Sequence, residues 1–334
     1  MSSARRPQLL ALKLAALVRE HGDATLVKGE FGPGAALMAG DDAWVLLDAD
    51  PARGLGPALA WSTRRQARRV HVLAESATGI LARRAECFAP TSTLGPIAVG
   101  HIDGRAVLPA IAEPLAESCD PPPEHLALLP VIVDGGATPI VEHGVLTGEV
   151  AGLEVCRATT DLVDGVTRLE VGIGAHDREA FQLLHGDRPT REALADVVAA
   201  VAPYRRPDSP PHPLNRIARA RALRAQLIDA PEIIGATGVR AVPPPARRPN
   251  VRDEWPCVAI ADIDGRLVTV VCSSGVDLDV VPFACDARAA TGVAECLVVM
   301  RGRDALPIQH ELVAALLDPV RIVALADRAT APSS

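Results

Sequence analysis

The chain has 334 residues, 49% of them hydrophobic and 22% charged, which is enough to form two or three domains with large buried cores. Aromatic residues make up only 2%, so the cores are built from Ala, Val, Leu and Ile, in the Lys-poor usage of a high-GC genome. A net charge of −7 without a long basic run argues against a protein that holds nucleic acid through its overall field. No run approaches the roughly 20 apolar residues that span a bilayer. The seven cysteines form no C-x-x-C pair, and their odd number, with no export signal in view, leads to the expectation of a reduced, cytoplasmic setting.

In chain order, an amphipathic helix over Gln8–His21 comes first. A hairpin follows, Ala35–Ala39 and Ala43–Leu47, around Gly40-Asp41-Asp42. Then come a helix at about Leu55–Ala67, a strand Val70–Ala74, a helix Ile80–Phe88 and a closing strand Ile97–Ile102. "ESCDPPPEH" (Glu117–His125) reads as an extended linker. It leads to a middle unit over 126–203. The first half of that unit is strand-rich ("LLPVIVDGG", "TPIVEHGVLTGEVAGLEVCRATTD", "VTRLEVGIG"), and its second half is two helices, Asp177–His185 and Arg191–Val201.

A second break, "YRRPDSPPHP" (Tyr204–Pro213), precedes a repeat of the opening layout. It reads as helix Leu214–Asp229, the long loop Val242–Pro256, then a hairpin Val258–Asp262 and Leu267–Cys272 around Asp264-Gly265. Helix Val280–Ala290, strand Cys296–Met300, helix Pro307–Leu317 and strand Arg321–Leu325 complete it. Shifting the chain by about 224 residues superposes Leu47 on Val271, Leu73 on Leu297 and Val99 on Val323.

A helix, a strand hairpin, then helix, strand, helix, strand resembles the restriction-endonuclease-like fold, and its Mrr-type branch in particular. "HIDGRAVLPA" (His101–Ala110) matches the ending of that branch, and the resemblance covers roughly 95 residues at one end and 115 at the other. It implies an α/β protein with two nuclease-like units, 1–115 and 213–328, flanking a small α+β unit. The family carries an acid on one strand and acid-x-lysine on the next, which hold a divalent ion and its attacking water. Here those places read Leu46-Leu47-Asp48 and Val270-Val271-Cys272, with no lysine in either. The strands before them offer only Asp41, Asp42 and Asp262, at or beyond their ends. The resemblance therefore implies a non-catalytic relative that binds nucleic acid or a protein partner, and leans away from an enzyme.

Two other readings stand beside it. In the middle unit, a hairpin turning near Leu162 places Glu154 opposite Glu170, with Glu149, Asp177 and Glu179 near in sequence. Opposed like charges need a cation. An Mg²⁺ or Mn²⁺ held by Glu154 and Glu170, with Asp177 as a further catalytic candidate, makes a metal-dependent hydrolase or nuclease. Arg168 compensating the pair, or a solvated face, is the plain alternative. The remaining reading is a scaffold for self-association.

Candidate binding residues follow from charge and glycine. The basic stretch Ser62–Arg69, with Arg64, Arg65, Arg68 and Arg69, combines with Arg83 and Arg84 into a candidate nucleic-acid patch, and Asn215–Arg224 is a second basic helix. Ser273, Ser274 and Gly275 follow a strand and precede a helix, a place for a phosphate. "RGLGP" (Arg53–Pro57) has similar form but fits plain capping. "AHDREAF", with His176 and Asp177, reads as an acid-rich helix start. No H-E-x-x-H spacing suggests zinc.

Overall fold

A computed structural model describes residues 5–22, 24–174, 177–178, 190–206, 209–248 and 254–326. Along the chain run α1 (Arg5–Arg19), β1 (Leu26–Gly29), β2 (Gly34–Ala39), β3 (Asp42–Leu47), α2 (Leu55–Thr63), β4 (Arg69–Ala74), α3 (Thr78–Ala85), β5 (Ile97–Asp103) and β6 (Ala106–Pro109). The middle holds α4 (Pro123–Leu126), α5 (Leu129–Asp134), β7 (Thr138–Glu142), β8 (Val145–Val150), β9 (Leu153–Thr160), β10 (Thr167–Val171) and α6 (Thr190–Val201). The last part holds α7 (Arg219–Asp229), β11 (Gly238–Val242), β12 (Cys257–Ile263), β13 (Arg266–Cys272), α8 (Val280–Thr291), β14 (Glu295–Arg301), α9 (Pro307–Ala314) and β15 (Val320–Leu325).

The chain is therefore α/β. Two sheets are mixed, β1 to β6 and β11 to β15, each with its strands in sequential order, and the sheet β10-β9-β8-β7 is antiparallel. In both mixed sheets a hairpin is followed by a parallel strand. Leu37 faces Trp44 and Leu46 runs beside Leu73, while Ala261 faces Val268 and Val270 runs beside Leu297. One shift along the chain carries the first two pairs onto the second two. Among the described residues, no helix is long and apolar enough to cross a membrane.

The chain forms two compact units, the first of residues 1–115, 276–289 and 305–322, the second of 116–275, 290–304 and 323–334. In the first, α1 lays Leu14, Leu17 and Val18 on Leu37, Trp44 and Leu46 of the sheet. Alternation along β3 sends Val45 and Leu47 to the opposite face, so this strand is buried on both sides. The helices of this unit include α2, α3, α9 and most of α8. Two reciprocal bonds join the ends of α3 and α9: Ala89 N–H donates to Ala315 C=O, and Leu317 N–H to Cys87 C=O.

In the second unit, α7 has two differently used sides. Ala220, Leu223 and Leu227 pack on Cys257, Ala259, Val268 and Val270. Arg221 and Arg224 are turned to the antiparallel sheet. The other face of that sheet carries α5 and α6, with Ile132, Leu194 and Val201 in one core with Leu146, Leu153 and Val155.

Several expectations change. "LLPVIVDGG" forms helix α5, because Pro130 suits a helix start and Gly135 its end. The linker 117–125 contains the start of α4, entered through Pro123. α2 stops at Thr63, four residues short of the expected Ala67, and Gln66 beyond it is left-handed (φ 54°). The helix expected from Leu214 begins at Arg219, after a separate turn over Pro213–Arg216. Strands β1, β6 and β11 lie at the beginnings or ends of their sheets, and their short sequences carry little alternation. Helix Asp177–His185 falls, apart from Asp177 and Arg178, outside the described residues, as do His176 and Glu179.

Candidate functional site

The second unit contains a cavity of about 230 Å³ bordered by β7, β8, β9, α7 and the connection from β11 to β12. A β-bulge shapes it. Gly148 faces Cys156 but Glu149 faces Glu154, so β9 has one residue more than β8 at this point. Without the bulge, Glu154 and Arg157 would lie on opposite faces of β9; with it, both line the cavity while Leu153, Val155 and Cys156 stay in the core.

Glu154 is 1% exposed and accepts hydrogen bonds from three guanidiniums. Arg157 gives two (2.9 and 3.1 Å), Arg178 one (3.2 Å) and Arg248 one (3.0 Å). Burial would raise its pKa, but Arg157, Arg248 and Arg178 together hold it below the usual carboxylate value. Arg178 also reaches Glu170 at 3.3 Å. Deeper, Arg221 bonds both Glu142 and Glu149, and Arg224, 1% exposed, lies 2.7 Å from Glu142 and 3.5 Å from Glu149. Burial raises Glu142 too, and Arg221 and Arg224 bring it below its ordinary value.

The approach of α7 to the sheet depends on a glycine. Gly152, left-handed at φ 80° in the β8–β9 turn, would place a Cβ 2.3 Å from the Arg221 carbonyl carbon. Arg205 ties the same turn to the segment before α7, donating to the carbonyls of Ala151, Leu214 and Ile217.

Two further groups close the cavity. His143 and Gly144, at φ 49° and 74°, form the two-residue turn between β7 and β8, whose closing pair is Glu142 and Val145. His143 is 8% exposed and its Nε2 is buried without a hydrogen-bond partner. Burial first, then Arg247, lower its pKa, against the pull of Glu142 and of the Ala246 and Pro244 carbonyls. The β11–β12 connection is far longer than its counterpart between β1 and β2, and this extra length carries Arg247 and Arg248 to the cavity. Arg247 is exposed and donates to the His143 carbonyl at 3.0 Å. Burial, and then repulsion from Arg221, lower the pKa of Arg248.

Among the described residues the cavity wall carries four arginines, Arg157, Arg221, Arg247 and Arg248, against two carboxylates, Glu142 and Glu154. The supporting ring adds Arg178 and Arg224, balanced by Glu149 and Glu170. Positive charge is in excess by two in either inventory. Such a wall is suited to binding an anion.

The expected facing of Glu154 and Glu170 is corrected by the register. Glu170 faces Arg157, and Glu154 faces Glu149. The turn is longer than a hairpin at Leu162 requires. Asp161 caps it through Val163 N–H, and Arg168 is held by Asp161 and Asp164 rather than by Glu170. Asp177 is exposed. Among the described residues no group of three or more His, Cys, Asp or Glu is placed to hold a metal ion. A carboxylate that already takes four bonds from guanidiniums, as Glu154 does, is poorly disposed to ligate Mg²⁺ or Mn²⁺.

The basic candidates divide. Arg64, Arg65, Arg68 and Arg69 are exposed, on the turn after α2 and at the start of β4 rather than on a helix. Arg65 stacks over Trp61 at 3.9 Å. Arg83 and Arg84 are engaged inside the first unit: Arg83 chelates Asp286 (2.9 and 3.0 Å), and Arg84, 3% exposed, bonds Asp286 (2.6 Å), Asp279 (2.8 Å) and Ala52 C=O (2.7 Å). The basic helix expected over 215–224 turns Arg221 and Arg224 inward. In the candidate phosphate loop, Gly275 N–H is taken by Asp304 at 2.9 Å and the buried Ser273 N–H by Val299 C=O, while Ser274 is half-buried beside them. A carboxylate thus stands where the phosphate was expected.

Sequence reasoning did not single out Arg157, Arg178, Arg247, Arg248 or His143. The available signal was Arg221 and Arg224, three apart on a helix that also carries the apolar stripe Ala220, Leu223 and Leu227, with acids at Glu142 and Glu149 on strands that pattern as half-buried. No protein-family model, curated protein or solved structure matches the chain.

Proposed function

We propose that this protein is a non-catalytic binding protein with two restriction-endonuclease-like units, and that it takes a small anionic ligand in the cavity of its second compact unit, lined mainly by the antiparallel sheet of the middle segment. The observation that carries this is the cavity wall, with four arginines against two glutamates and a buried, unpartnered imidazole nitrogen. Duplication is supported by the common shift of strand register, which carries the hairpin and parallel pairs of the first sheet onto those of the other mixed sheet. The absence of catalysis is supported by the strand positions of the acid and lysine, which hold the buried Leu46, Leu47, Val270, Val271 and Cys272 and, at the remaining place, Asp48 bonded to Arg6, with no lysine at any of them.

The test is thermal unfolding of the full chain in increasing sulfate or phosphate, with chloride at equal ionic strength as control. The reading expects a saturable rise in the midpoint, much reduced in Arg248→Gln. Equal midpoints in all three salts would sink it. A second reading, nucleic-acid binding, draws on the four exposed arginines at 64–69. It expects affinity for duplex DNA that falls steeply with salt and is lost when Arg64, Arg65, Arg68 and Arg69 are replaced by Gln.

A further inference from the structure

Given that the cavity is an anion site, we infer that its ligand is a small phosphomonoester, held by Arg157, Arg247 and Arg248 with the Nε2–H of His143 as a fourth donor. This rests on the proposed function and names the class of ligand.

Shape gives the first argument. The donors come from separate elements: Arg157 from β9, His143 from the β7–β8 turn, and Arg247 and Arg248 from the β11–β12 connection. A carboxylate is planar, and one arginine fork satisfies both of its oxygens. A phosphate monoester presents three terminal oxygens in three directions, which suits donors converging from different sides.

Charge gives the second. The wall is in excess by two positive charges among the described residues. A phosphomonoester carries about −1.5 to −2 at pH 7. A neutral ligand would leave guanidiniums uncompensated, which Arg248 already registers through repulsion from Arg221.

The third argument is the orphan nitrogen. A buried polar atom without a partner costs about 1–3 kcal/mol, and such atoms are rare enough in folded proteins that each calls for an explanation. His143 Nε2 is one of several such atoms among the described residues, and the one that belongs to a residue of the cavity wall. The carbonyls of Ala246 and Pro244 lie near the ring without a well-formed bond to Nε2, and an anionic oxygen entering from the cavity completes its hydrogen bonding.

Size selects the ester. At ~30 Å³ per water, 230 Å³ holds the equivalent of about eight waters. That exceeds a bare phosphate and falls short of the ~300 Å³ at which pockets for larger ligands begin. A phosphate on a short organic stem fills it, whereas a nucleotide would leave its nucleoside outside.

The experiment is calorimetric titration of the full chain with four probes: glycerol 3-phosphate, inorganic phosphate, malonate and AMP. The inference expects glycerol 3-phosphate to bind at least tenfold more tightly than malonate and AMP and several-fold more tightly than inorganic phosphate. Arg247→Ala, on an exposed side chain, should weaken glycerol 3-phosphate about tenfold. His143→Ala should do the same, while His143→Gln, which restores an N–H donor, recovers most of the loss. Malonate binding as tightly as glycerol 3-phosphate overturns the phosphomonoester and leaves the anion site standing, and AMP binding as tightly overturns the size limit. Inorganic phosphate binding as tightly as the ester overturns the stem. No heat with any probe overturns both readings. Should the His143 variants fail to fold, the wild-type probe ranking and Arg247→Ala still decide the matter.

Discussion

Each unit buries a group of arginines, and the two groups are built to different inventories. Among the described residues of the first unit, Arg53, Arg83 and Arg84 meet three acids, Asp277, Asp279 and Asp286. Arg83 spends its remaining donor on the carbonyls of Glu113 and Pro114, and Arg84 on that of Ala52. In the second unit, among the described residues, six arginines face four glutamates around the cavity, and the surplus borders an open volume. An equal count closes a cluster into structure. An excess, combined with a cavity and an unsatisfied nitrogen, marks a place for a ligand.

The comparison breaks most visibly at the residues that hold each cluster. Arg84→Met leaves Asp279 and Asp286 buried without their shared partner and should cost about 3–5 kcal/mol, read as a lower urea midpoint. Arg224→Met should cost a similar amount, since Glu142 and Glu149 then depend on Arg221 alone. A loss below 1 kcal/mol in either would contradict the burial assigned to it.

Gly152→Ala comes next. It forces a left-handed alanine, about 1–3 kcal/mol, and drives a Cβ into the Arg221 backbone. It should lower stability and abolish anion binding together. If only stability fell, the close approach of α7 would not position the cavity.

The two clusters also respond to pH with opposite signs. Burial, opposed by Arg84, pushes Asp279 up to about 7. Between its ordinary value near 3.8 and that raised one, the folded state holds a proton that the unfolded state has released. This group's contribution therefore falls as pH rises from about 4 to about 7. Glu142 and Glu154 are depressed, so their contribution is present above the ordinary carboxylate range and is lost as pH falls through their lowered values. Urea midpoints across pH 3–8 should show both slopes, and Asp279→Asn should remove only the upper one.

The smallest effect on stability belongs to Arg247→Ala. Its side chain is exposed and bonds only a carbonyl among the described contacts, so the unfolding midpoint should move by about 0.5 kcal/mol or less. Phosphomonoester affinity should nevertheless drop about tenfold. A variant that unfolds early but binds normally would reverse the roles assigned to the two clusters.

Much of the frame was legible in the sequence because it depends on local pattern. The hairpins at Gly40 and Asp264-Gly265, both parallel connections and the helices at 55, 280 and 307 follow from apolar periodicity and turn residues. The site was not legible, for three physical reasons. The register of β9 and β10 is set by an Asp161-capped turn, so Glu170 met Arg157 where Glu154 was expected. The face of Glu154 is set by a bulge that leaves no mark in composition. Arg247 and Arg248 lie in a proline-rich loop whose reach depends on contacts remote in sequence. Arginine clusters also read as solvated faces when seen alone. Arg84 and Arg224 are buried only because acids far along the chain return to meet them.

The central claim is that the surplus charge of the second unit holds a tetrahedral anion, and locating such an anion tests it most directly. Crystals of the full chain grown with millimolar selenate should give an anomalous peak within hydrogen-bond distance of His143 Nε2 and the Arg157 and Arg248 guanidiniums, absent in Arg248→Gln. Selenate found only elsewhere, or unchanged by that substitution, would contradict the account.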